Sequence, residues 1–254
     1  MKRLLTWLLV VGALLPAAAQ QITEQDKERA AALVERMTLD EKLDYIGGFN
    51  SFYIRAIPRL GIPQIRMADG PQGVRNDTRS TMFPCGIAAA AAWDRALVRD
   101  YGRALGQDCR ARGVHILLGP GVNIYRSPLC GRNFEYYGED PYLNGMMGVA
   151  AVKGYQGDDL TADGAIAACL KHFVGYAYSD GGRDYHYTEI SPQTLWDTAL
   201  PPFEMGVKAG AATVMSAFND ISGVPASANR YTMTDILRGM WGFDGLVVSD
   251  WDAV

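Results

Sequence analysis

The sequence predicts an α/β fold of the (β/α)8 barrel type. Short apolar segments rich in β-branched residues alternate along the chain with longer segments of helical periodicity. Charged residues directly follow several of the apolar segments, and in a parallel barrel this is the end of the strands that carries the chemistry. Only five strand candidates are recognisable, whereas a closed barrel has eight strands. We therefore expect the barrel to be incomplete within these 254 residues, with its last strands missing.

The first 19 residues have the pattern of a secretory signal. A positively charged start, Lys2-Arg3, precedes the apolar run 4–15, which is followed by the cleavage pattern Ala17-Ala18-Ala19. We predict that residues 1–19 are removed as a signal peptide and that residues 20–254 form one barrel domain. The protein is then expected to be periplasmic or extracellular.

Helix starts are predicted from capping residues. Two capping boxes, Thr23-x-x-Asp26 and Thr38-x-x-Glu41, indicate a first helix to about Met37 and a second that stops at Gly47-Gly48. Later helix starts are predicted at Asp94, Asp140-Pro141, Ser191-Pro192 and Thr232-x-x-Asp235. The helix that begins at Ser191-Pro192 is expected to break at Pro201-Pro202 and to resume until Gly210, because proline disrupts a helix interior.

Five short apolar runs predict the strands of the barrel. They cover residues 65–68, 114–118, 166–170, 212–215 and 246–248. A tight turn over 69–73 follows the first of them. The long segment 121–140 is rich in Gly, Asn, Arg, Tyr and Glu, a composition that favours a functional loop over a simple connector.

The composition limits the classes of function. With 48% hydrophobic and 20% charged residues the chain is globular, and a net charge of −4 gives no basic surface for nucleic acid. The four cysteines match no zinc pattern, and although export permits disulfides, we interpret them as small buried residues. No stretch after the signal is long and apolar enough to span a membrane. We expect no metal, cofactor, nucleic acid or membrane partner.

The residues at the strand ends form the candidate site. They combine carboxylates, cations and an imidazole, which suits a neutral ligand rich in hydroxyl groups. The set consists of Asp69, Lys171, His172, Met215 and Asp250, with Arg132 and Glu135 from the long loop. Trp251 and Phe134 could offer apolar faces to a sugar ring. Asp250 is open to two interpretations, a catalytic carboxylate at the end of a strand or the cap of a following helix.

Seven stretches of the chain resemble glycoside hydrolase family 3, specifically the amino-terminal domain of enzymes of the β-glucosidase type. They follow the family order and cover nearly all of the chain after the signal. The stretches are ADGPQGVR (68–75), LLGPGVNI (117–124), GRNFEYYGEDPYL (131–143), KHFVGY (171–176), GGRDY (181–185), VMSAFND (214–220) and GFDGLVVSDW (242–251).

The resemblance implies a retaining, exo-acting β-glycosidase, most simply a β-glucosidase acting on terminal β-D-glucosyl residues. Asp250 matches the nucleophile that forms a covalent glycosyl-enzyme, so the domain is truncated just after the nucleophile strand. In this type of enzyme the acid/base glutamate belongs to a second α/β domain, which we expect a missing carboxy-terminal region to supply. Lys171 and Arg132 are expected to keep Asp250 ionised.

The same resemblance implies a set of sugar-binding residues. Asp69 matches the carboxylate that binds hydroxyls of the sugar in the first subsite. The other members match hydrogen-bond donors to that sugar (Arg132, Lys171 and His172), a further arginine near the site (Arg183) and apolar lining (Met215 and Trp251). Many family members have a tyrosine at the position of Phe218, so one hydrogen bond near the nucleophile is expected to be absent here.

Two other interpretations remain open. A branch of the family that acts on amino sugars uses an Asp/His pair as acid/base, and Asp184 with His186 could serve as that pair in a β-N-acetylglucosaminidase. That branch carries Pro-Gly-His where this chain has Val174-Gly175-Tyr176, which favours the β-glucosidase. The third interpretation is an inactive sugar-binding fragment, because the acid and the last strands are not in this sequence.

Overall fold

The computed structural model describes residues 23–75 and 79–254 of the chain. The signal peptide predicted over residues 1–19 therefore lies outside the described residues. Helix α1 (Glu24–Arg36) and helix α2 (Leu39–Gly47) begin where the capping boxes predict. In each box the threonine hydroxyl accepts a hydrogen bond from the backbone of the third helical residue, Asp26 or Glu41.

The centre of the fold is a six-stranded sheet in which five strands run parallel. The strands are β1 (Tyr53–Ile54), β2 (Ile65–Asp69), β3 (Ile116–Leu118), β4 (Ala167–Phe173), β5 (Thr213–Ser216) and β8 (Leu246–Ser249). Their spatial order is β1-β2-β3-β4-β5-β8, and β1 pairs antiparallel with β2. The five parallel strands are the predicted ones, and the sheet is an open part of a β/α barrel, as expected.

Three very short strands were not predicted. Besides β1, a small hairpin of β6 (Asp220–Ile221) and β7 (Val224–Pro225) follows β5. Strands of two residues are too short to show the alternation of apolar and polar side chains on which a prediction depends.

Helices cover the outer face of the sheet. They are α3 (Gly86–Ala91), α4 (Arg95–Ala111), α5 (Pro141–Gln156), α6 (Pro192–Thr194) and α7 (Pro201–Lys208), followed by a π-helical segment (Tyr231–Met240). Helices α4 and α5 approach closely at two glycines. A Cβ atom added at Gly154 would lie 2.5 Å from the carbonyl oxygen of Arg99 and 2.8 Å from the Cα of Gly102.

Two helix predictions differ from the structure. The chain does not leave helical geometry at Pro201-Pro202, because a π-helical turn (Leu195–Ala199) and Leu200 connect α6 to α7. The prolines occupy the first positions of α7, where a missing N–H group costs little. The prediction that Thr232 caps the last helix is wrong. Asn229 Oδ1 accepts the backbone N–H of Thr232 at 3.1 Å, so Asn229 caps a helix that starts earlier.

The two faces of the sheet bury different sets of side chains. On the helix-covered face the strands contribute the largely buried Ala68, Leu117, Leu170 and Val214. Their neighbours in sequence point the other way, toward the barrel interior, where Met67, Ile116, Leu118, Cys169 and Met215 form a second cluster. All four cysteines are free; Cys109, Cys130 and Cys169 are buried as interpreted, and Cys85 is half-buried. No helix among the described residues combines the length and the apolar character that a bilayer span requires.

Candidate active site

The carboxyl ends of the parallel strands bring the predicted site residues to one edge of the sheet. Asp69 is the last residue of β2, and Lys171-His172 lie near the end of β4. Asp250 directly follows β8, and its backbone N–H donates to the carbonyl of Ser216 on β5 at 3.0 Å. This bond continues the pairing of the two strands by one residue and fixes the start of the turn that carries Asp250.

Lys171 is the central cation of the site. It is almost fully buried, and its Nζ lies 3.4 Å from Glu135 Oε2 and 3.9 Å from Asp69 Oδ1. Asp69 is one-third exposed and also accepts a hydrogen bond from Arg75 Nη2 at 3.3 Å. Lys171 thus connects a buried carboxylate of the long loop to a carboxylate at the mouth of the barrel.

Glu135 holds the second cation. Its Oε1 accepts from Arg132 Nε at 2.7 Å, so the two residues form an ion pair within the long loop. Burial of Glu135 disfavours its charged form, but Lys171 and Arg132 outweigh burial and hold the pKa of this carboxyl below its ordinary value. Glu135 therefore stays ionised and offsets positive charge beside the site.

His172 is fully buried next to Asp250. Its Nε2 lies 2.9 Å from Arg132 Nη2 and 3.7 Å from Asp250 Oδ2. Burial, and then the charges of Arg132 and Lys171, hold the pKa of His172 well below its ordinary value. The imidazole is neutral at physiological pH, so its approach to Asp250 is not a salt bridge.

The carboxylate of Asp250 has one anchored and one bare oxygen. Oδ1 accepts the backbone N–H of Trp251 at 2.8 Å, while Oδ2 has no hydrogen-bond partner among the described residues. Burial raises the pKa of Asp250 to about 6, although Trp251 N–H, Arg132 and Lys171 each oppose that rise. Lys171 and Arg132 thus act in the expected direction, toward the ionised form, but burial has the larger effect on the pKa of Asp250. Each cation also pairs with Glu135, and removal of the Asp250 carboxyl from water disfavours its charged form.

The remaining predicted residues are placed differently. Met215 is buried in the interior cluster below the site. Trp251 is 54% exposed at the mouth, with its ring 6.1 Å from that of Phe52. Arg183 lies on the loop after β4, but its guanidinium pairs with Asp180 at 3.4 Å. The structure thus brings Asp69, Arg132, Lys171, His172 and Asp250 together and leaves the Arg183 side chain at the periphery.

Sequence reasoning missed two contributors. Tyr185 stacks on Phe218 with ring centroids 4.2 Å apart, and its hydroxyl donates to the Trp251 carbonyl at 2.8 Å. Asn123 hydrogen-bonds the backbone and the ring of His172. A usable signal for Asn123 was its polarity within the apolar run 117–124; Tyr185 stands in a polar loop and offered none.

An open cavity of about 320 Å³ adjoins the mouth of the site. It is lined by Tyr185, His186, Tyr187, Phe218, Asn219, Asp220 and Pro225. Aromatic side chains and a carboxylate thus stand next to the polar cluster, an arrangement suited to a ring with hydroxyl substituents. Across residues 23–75 and 79–254, no three His, Cys, Asp or Glu side chains are arranged to hold a metal ion.

Known proteins match both the sequence and this geometry. The family model for the glycosyl hydrolase family 3 N terminal domain matches residues 49–254. The chain is 42% identical to thermostable beta-glucosidase B of Acetivibrio thermocellus, covering 87% of this chain and 30% of that protein. It is 41% identical to a beta-glucosidase of Rhizobium radiobacter, covering 86% of this chain and 27% of that protein.

Solved structures agree with these relatives. Beta-glucosidase 3B from Thermotoga neapolitana in complex with glucose superposes with a TM-score of 0.79 at 37% identity, over 88% of this chain and 34% of that one. The beta-glucosidase DesR from Streptomyces venezuelae, in complex with D-glucose, gives a TM-score of 0.81 at 37% identity, over 89% and 29% of the two chains. This chain therefore spans about a third or less of the length of these relatives. It belongs to the glycosyl hydrolase family 3 N-terminal domain family.

Proposed function

We propose that the protein containing this chain is a retaining, exo-acting β-glycosidase that acts on β-D-glucosides. The observation that carries the proposal is the bare Oδ2 of Asp250 at the carboxyl edge of the sheet, beside the buried cluster of Glu135, Lys171 and His172. The names of the relatives, all beta-glucosidases, support glucose as the sugar.

In the proposed reaction Asp250 is the nucleophile. Its Oδ2 attacks the anomeric carbon, the bond from that carbon to the leaving oxygen breaks, and the leaving oxygen takes a proton from an acid. Water then attacks the anomeric carbon of the covalent glycosyl-enzyme, and the bond from that carbon to Asp250 Oδ2 breaks and frees the carboxylate. The group that served as the acid, now a base, accepts the proton of the water. A pKa near 6 leaves Asp250 mostly ionised at neutral pH, as a nucleophile must be.

The sugar is held by charged groups that the fold has already fixed in place. Asp69 is partly exposed at the mouth and accepts from sugar hydroxyls, while Lys171 and Arg132 donate to them. Met215 in the interior cluster and Trp251 at the mouth are proposed to line the sugar site, and Arg183, which pairs with Asp180, to contact the bound sugar. Hydrogen bonds of this kind strengthen as the ring distorts toward the transition state.

The acid/base is proposed to come from a second α/β domain of the complete protein. Among the glutamates near the site, Glu135 is the wrong group for proton donation. Lys171 and Arg132 hold its pKa low, whereas a general acid needs a raised pKa. The family resemblance supports a glutamate from outside residues 23–254 in this role.

The test uses the complete protein and its Asp250→Asn variant. A 2-fluoro-β-glucoside with a good leaving group should add one fluoroglucosyl unit to the wild-type protein, located by peptide mass spectrometry on Asp250. The variant should not be labelled and should lose nearly all turnover of an aryl β-glucoside. The assignment is wrong if the label falls on another residue, or if the variant keeps more than a few per cent of activity.

No contact favours the amino-sugar alternative. His186 Nδ1 accepts the backbone N–H of Tyr187 at 2.8 Å, and Asp184 accepts from the hydroxyl of Tyr176, so Asp184 and His186 are not hydrogen-bonded to each other. Turnover of an aryl N-acetyl-β-glucosaminide faster than the glucoside would reverse this choice. The alternative of an inactive sugar-binding fragment would hold if the natural protein lacked the acid and the last strands and turned over neither substrate.

Export remains a separate proposal. The support is the sequence pattern over residues 1–19, a charged start, an apolar run and a small-residue cleavage site. Amino-terminal sequencing of protein recovered from the periplasm or the culture medium should begin near Gln20. Recovery of cytoplasmic protein that still begins at Met1 would contradict it.

A further inference from the structure

His172 is the most completely enclosed titratable group of the site, and its two ring nitrogens face different partners. Nε2 faces Arg132 Nη2 at 2.9 Å, and Nδ1 faces Asn123 Oδ1 at 3.1 Å. In a neutral imidazole one nitrogen donates and the other accepts. The partners therefore determine which nitrogen carries the proton.

The orientation of the Asn123 amide is fixed by backbone groups that have no ambiguity. The backbone N–H of His172 can only donate, and it lies 2.8 Å from Oδ1 of Asn123. The carbonyl of His172 can only accept, and it lies 3.0 Å from Nδ2. Oδ1 is consequently the amide atom that faces the ring, and an oxygen there accepts from Nδ1–H.

The arginine on the other side leads independently to the same tautomer. A guanidinium has five N–H donors and no acceptor, and it stays protonated in proteins. Arg132 Nη2 therefore donates to Nε2, which must carry its lone pair rather than a proton. The Asn123 amide at Nδ1 and the Arg132 guanidinium at Nε2 therefore favour the same tautomer, with the proton on Nδ1.

We propose that Asn123 is a positioning residue that holds His172 in the tautomer with its proton on Nδ1, so that Nε2 accepts from Arg132 and orients that guanidinium. Arg132 Nε donates to Glu135 and Nη2 to His172, so the plane of the guanidinium is fixed at two points. Its other N–H groups are then directed to the ligand. With its Nδ1 proton directed to Asn123 and its Nε2 accepting from Arg132, His172 has no N–H group left to donate to the sugar, in contrast to the role that the resemblance implied. It acts through Arg132.

A second asparagine holds the first one in place. Asn144 on α5 donates through Nδ2 to the carbonyl of Asn123 at 2.7 Å and to that of Val122 at 3.3 Å. Both asparagines are buried, at 3% and 0% exposure. The path from α5 to the guanidinium thus runs through Asn144, Asn123, His172 and Arg132 without leaving the protein interior.

The other groups around the ring do not overturn this assignment. Tyr136 Oη lies 3.4 Å from Nδ1 and can share its proton as a weaker acceptor. Asp250 Oδ2 lies 3.7 Å from Nε2, outside hydrogen-bond range, while the Arg132 nitrogen is nearer. The remaining neighbours are the charge of Lys171 and the rings of Tyr176 and Phe218.

The direct test is ¹⁵N NMR of the complete protein labelled only at histidine, with His172→Gln used to assign the signal by its loss. We expect His172 to show a proton-bearing Nδ1 and a lone-pair Nε2, unchanged from about pH 5.5 to about pH 8. An ordinary histidine, with a pKa of about 6.5, would change from mostly protonated to neutral over the same range. A proton on Nε2, or a doubly protonated ring in this range, overturns the proposal. This arm needs no variant of Asn123 to fold.

The second arm uses Asn123→Asp, which keeps the acceptor and adds a negative charge facing Nδ1. We expect His172 to become protonated within the accessible pH range, because a carboxylate stabilises the imidazolium. Asn133→Asp is the matched control: it adds a buried carboxylate on the same loop at a residue that contacts Ser127 rather than His172. If the ¹⁵N signal of His172 changes in the same way in both variants, Asn123 is not the positioning residue. The same conclusion follows if the signal changes in neither variant while circular dichroism shows that both are folded.

The kinetic arm rests on the proposed function. Protonated His172 can no longer accept from Arg132, so kcat/KM of Asn123→Asp for an aryl β-glucoside should fall about ten- to hundredfold at low pH. Its ratio to wild type should recover as pH rises. The expected tautomer in a protein that turns over no glycoside would refute the proposed function alone; normal turnover with the opposite tautomer would refute this inference alone.

Discussion

The floor and the rim of the candidate site are built differently. The floor consists of Arg132, Glu135, Lys171 and His172, which are joined by ion pairs and hydrogen bonds, together with Asp250 beside them. These side chains are mostly buried. The rim consists of Arg183, Tyr185, Tyr187 and Trp251. Each rim side chain is at least half exposed, and its contacts are aromatic ring contacts, an exposed ion pair of Arg183 with Asp180 and the hydrogen bond from Tyr185 to the carbonyl of Trp251.

This difference separates side chains whose positions are fixed by the domain itself from side chains whose positions depend on a ligand or on another part of the protein. Floor atoms keep their positions because moving one would leave a buried charge without its partner, which is costly. Rim atoms face solvent, where ion pairs and ordered aromatic contacts contribute little. Under the proposed function, the floor would serve the chemistry that all β-glucosides share, and the rim the choice among aglycones.

The largest expected difference in stability between a floor variant and a rim variant is that between Lys171→Met and Arg183→Ala. Removing the cation leaves Glu135 and Asp69 facing each other without it, and we expect a loss of about 3–5 kcal/mol in the free energy of unfolding. Arg183→Ala on the rim should cost less than about 1 kcal/mol. Urea denaturation measures both. In the double variant Lys171→Met/Glu135→Gln, part of the loss should be recovered; purely additive effects would show that the buried pair is not coupled.

Asp250 should lower stability where it is ionised. Its pKa is raised from 3.8 to about 6, so the folded state binds the proton more tightly than the unfolded state. The stability linked to that proton is complete below the unfolded pKa and is lost as pH rises through about 6. Asp250→Asn should thus raise the free energy of unfolding by up to about 3 kcal/mol above neutral pH and hardly at all near pH ~4.

The matched control for that measurement is Asp252→Asn. Asp252 is exposed on the same turn and has a positive φ of 51°, which asparagine tolerates. We expect it to leave the pH dependence of unfolding unchanged. Equal stabilisation by both variants would mean that burial at Asp250 is not the cause.

Asp69 lies between the floor and the rim. It pairs with buried Lys171 yet is one-third exposed. Asp69→Ala should lower kcat/KM for aryl β-glucosides about 100-fold, because charged hydrogen bonds to sugar hydroxyls are lost in the transition state. An unchanged kcat/KM would show that Asp69 serves only the turn after β2.

The smallest expected effect is that of Tyr185→Phe. The change removes only the hydroxyl that donates to the carbonyl of Trp251, the residue after Asp250, which is the proposed nucleophile. We expect kcat/KM to fall about fivefold, the equivalent of one neutral hydrogen bond of about 1 kcal/mol. Tyr187→Phe is the comparison variant, since the Tyr187 hydroxyl makes no hydrogen bond among the described residues, and it should have a smaller effect. Equal effects would remove Tyr185 from the support of the nucleophile.

The sequence predicted the framework because its signals are local. Thr23, Thr38, Asp94 and Asp140 each cap a helix through an oxygen that accepts backbone N–H groups within three residues. The error at Thr232 has the same origin, because Asn229 fits the role equally well and lies three residues earlier. Strand order likewise follows from alternation along the chain.

The electrostatics could not be predicted in the same way. From the sequence, Lys171 and Arg132 are expected to act as cations on Asp250. In the structure both form ion pairs with Glu135, and these pairs are visible only from the interatomic distances. The role of Asn123 depends on residues 49 positions away. Contacts of that range leave no periodic pattern in a single sequence.

The glycine contact between α4 and α5 constrains how this domain could be made more heat-resistant. Alanine in place of a helical glycine ordinarily stabilises by about 1 kcal/mol, and Gly47 in α2 offers that gain, since a Cβ there meets nothing within 4 Å. At Gly154 the added methyl would meet backbone at 2.5 Å and push the two helices apart. A consensus or alanine library that treats these positions alike would therefore mix beneficial and damaging changes, and Gly102 and Gly154 should be kept fixed in it.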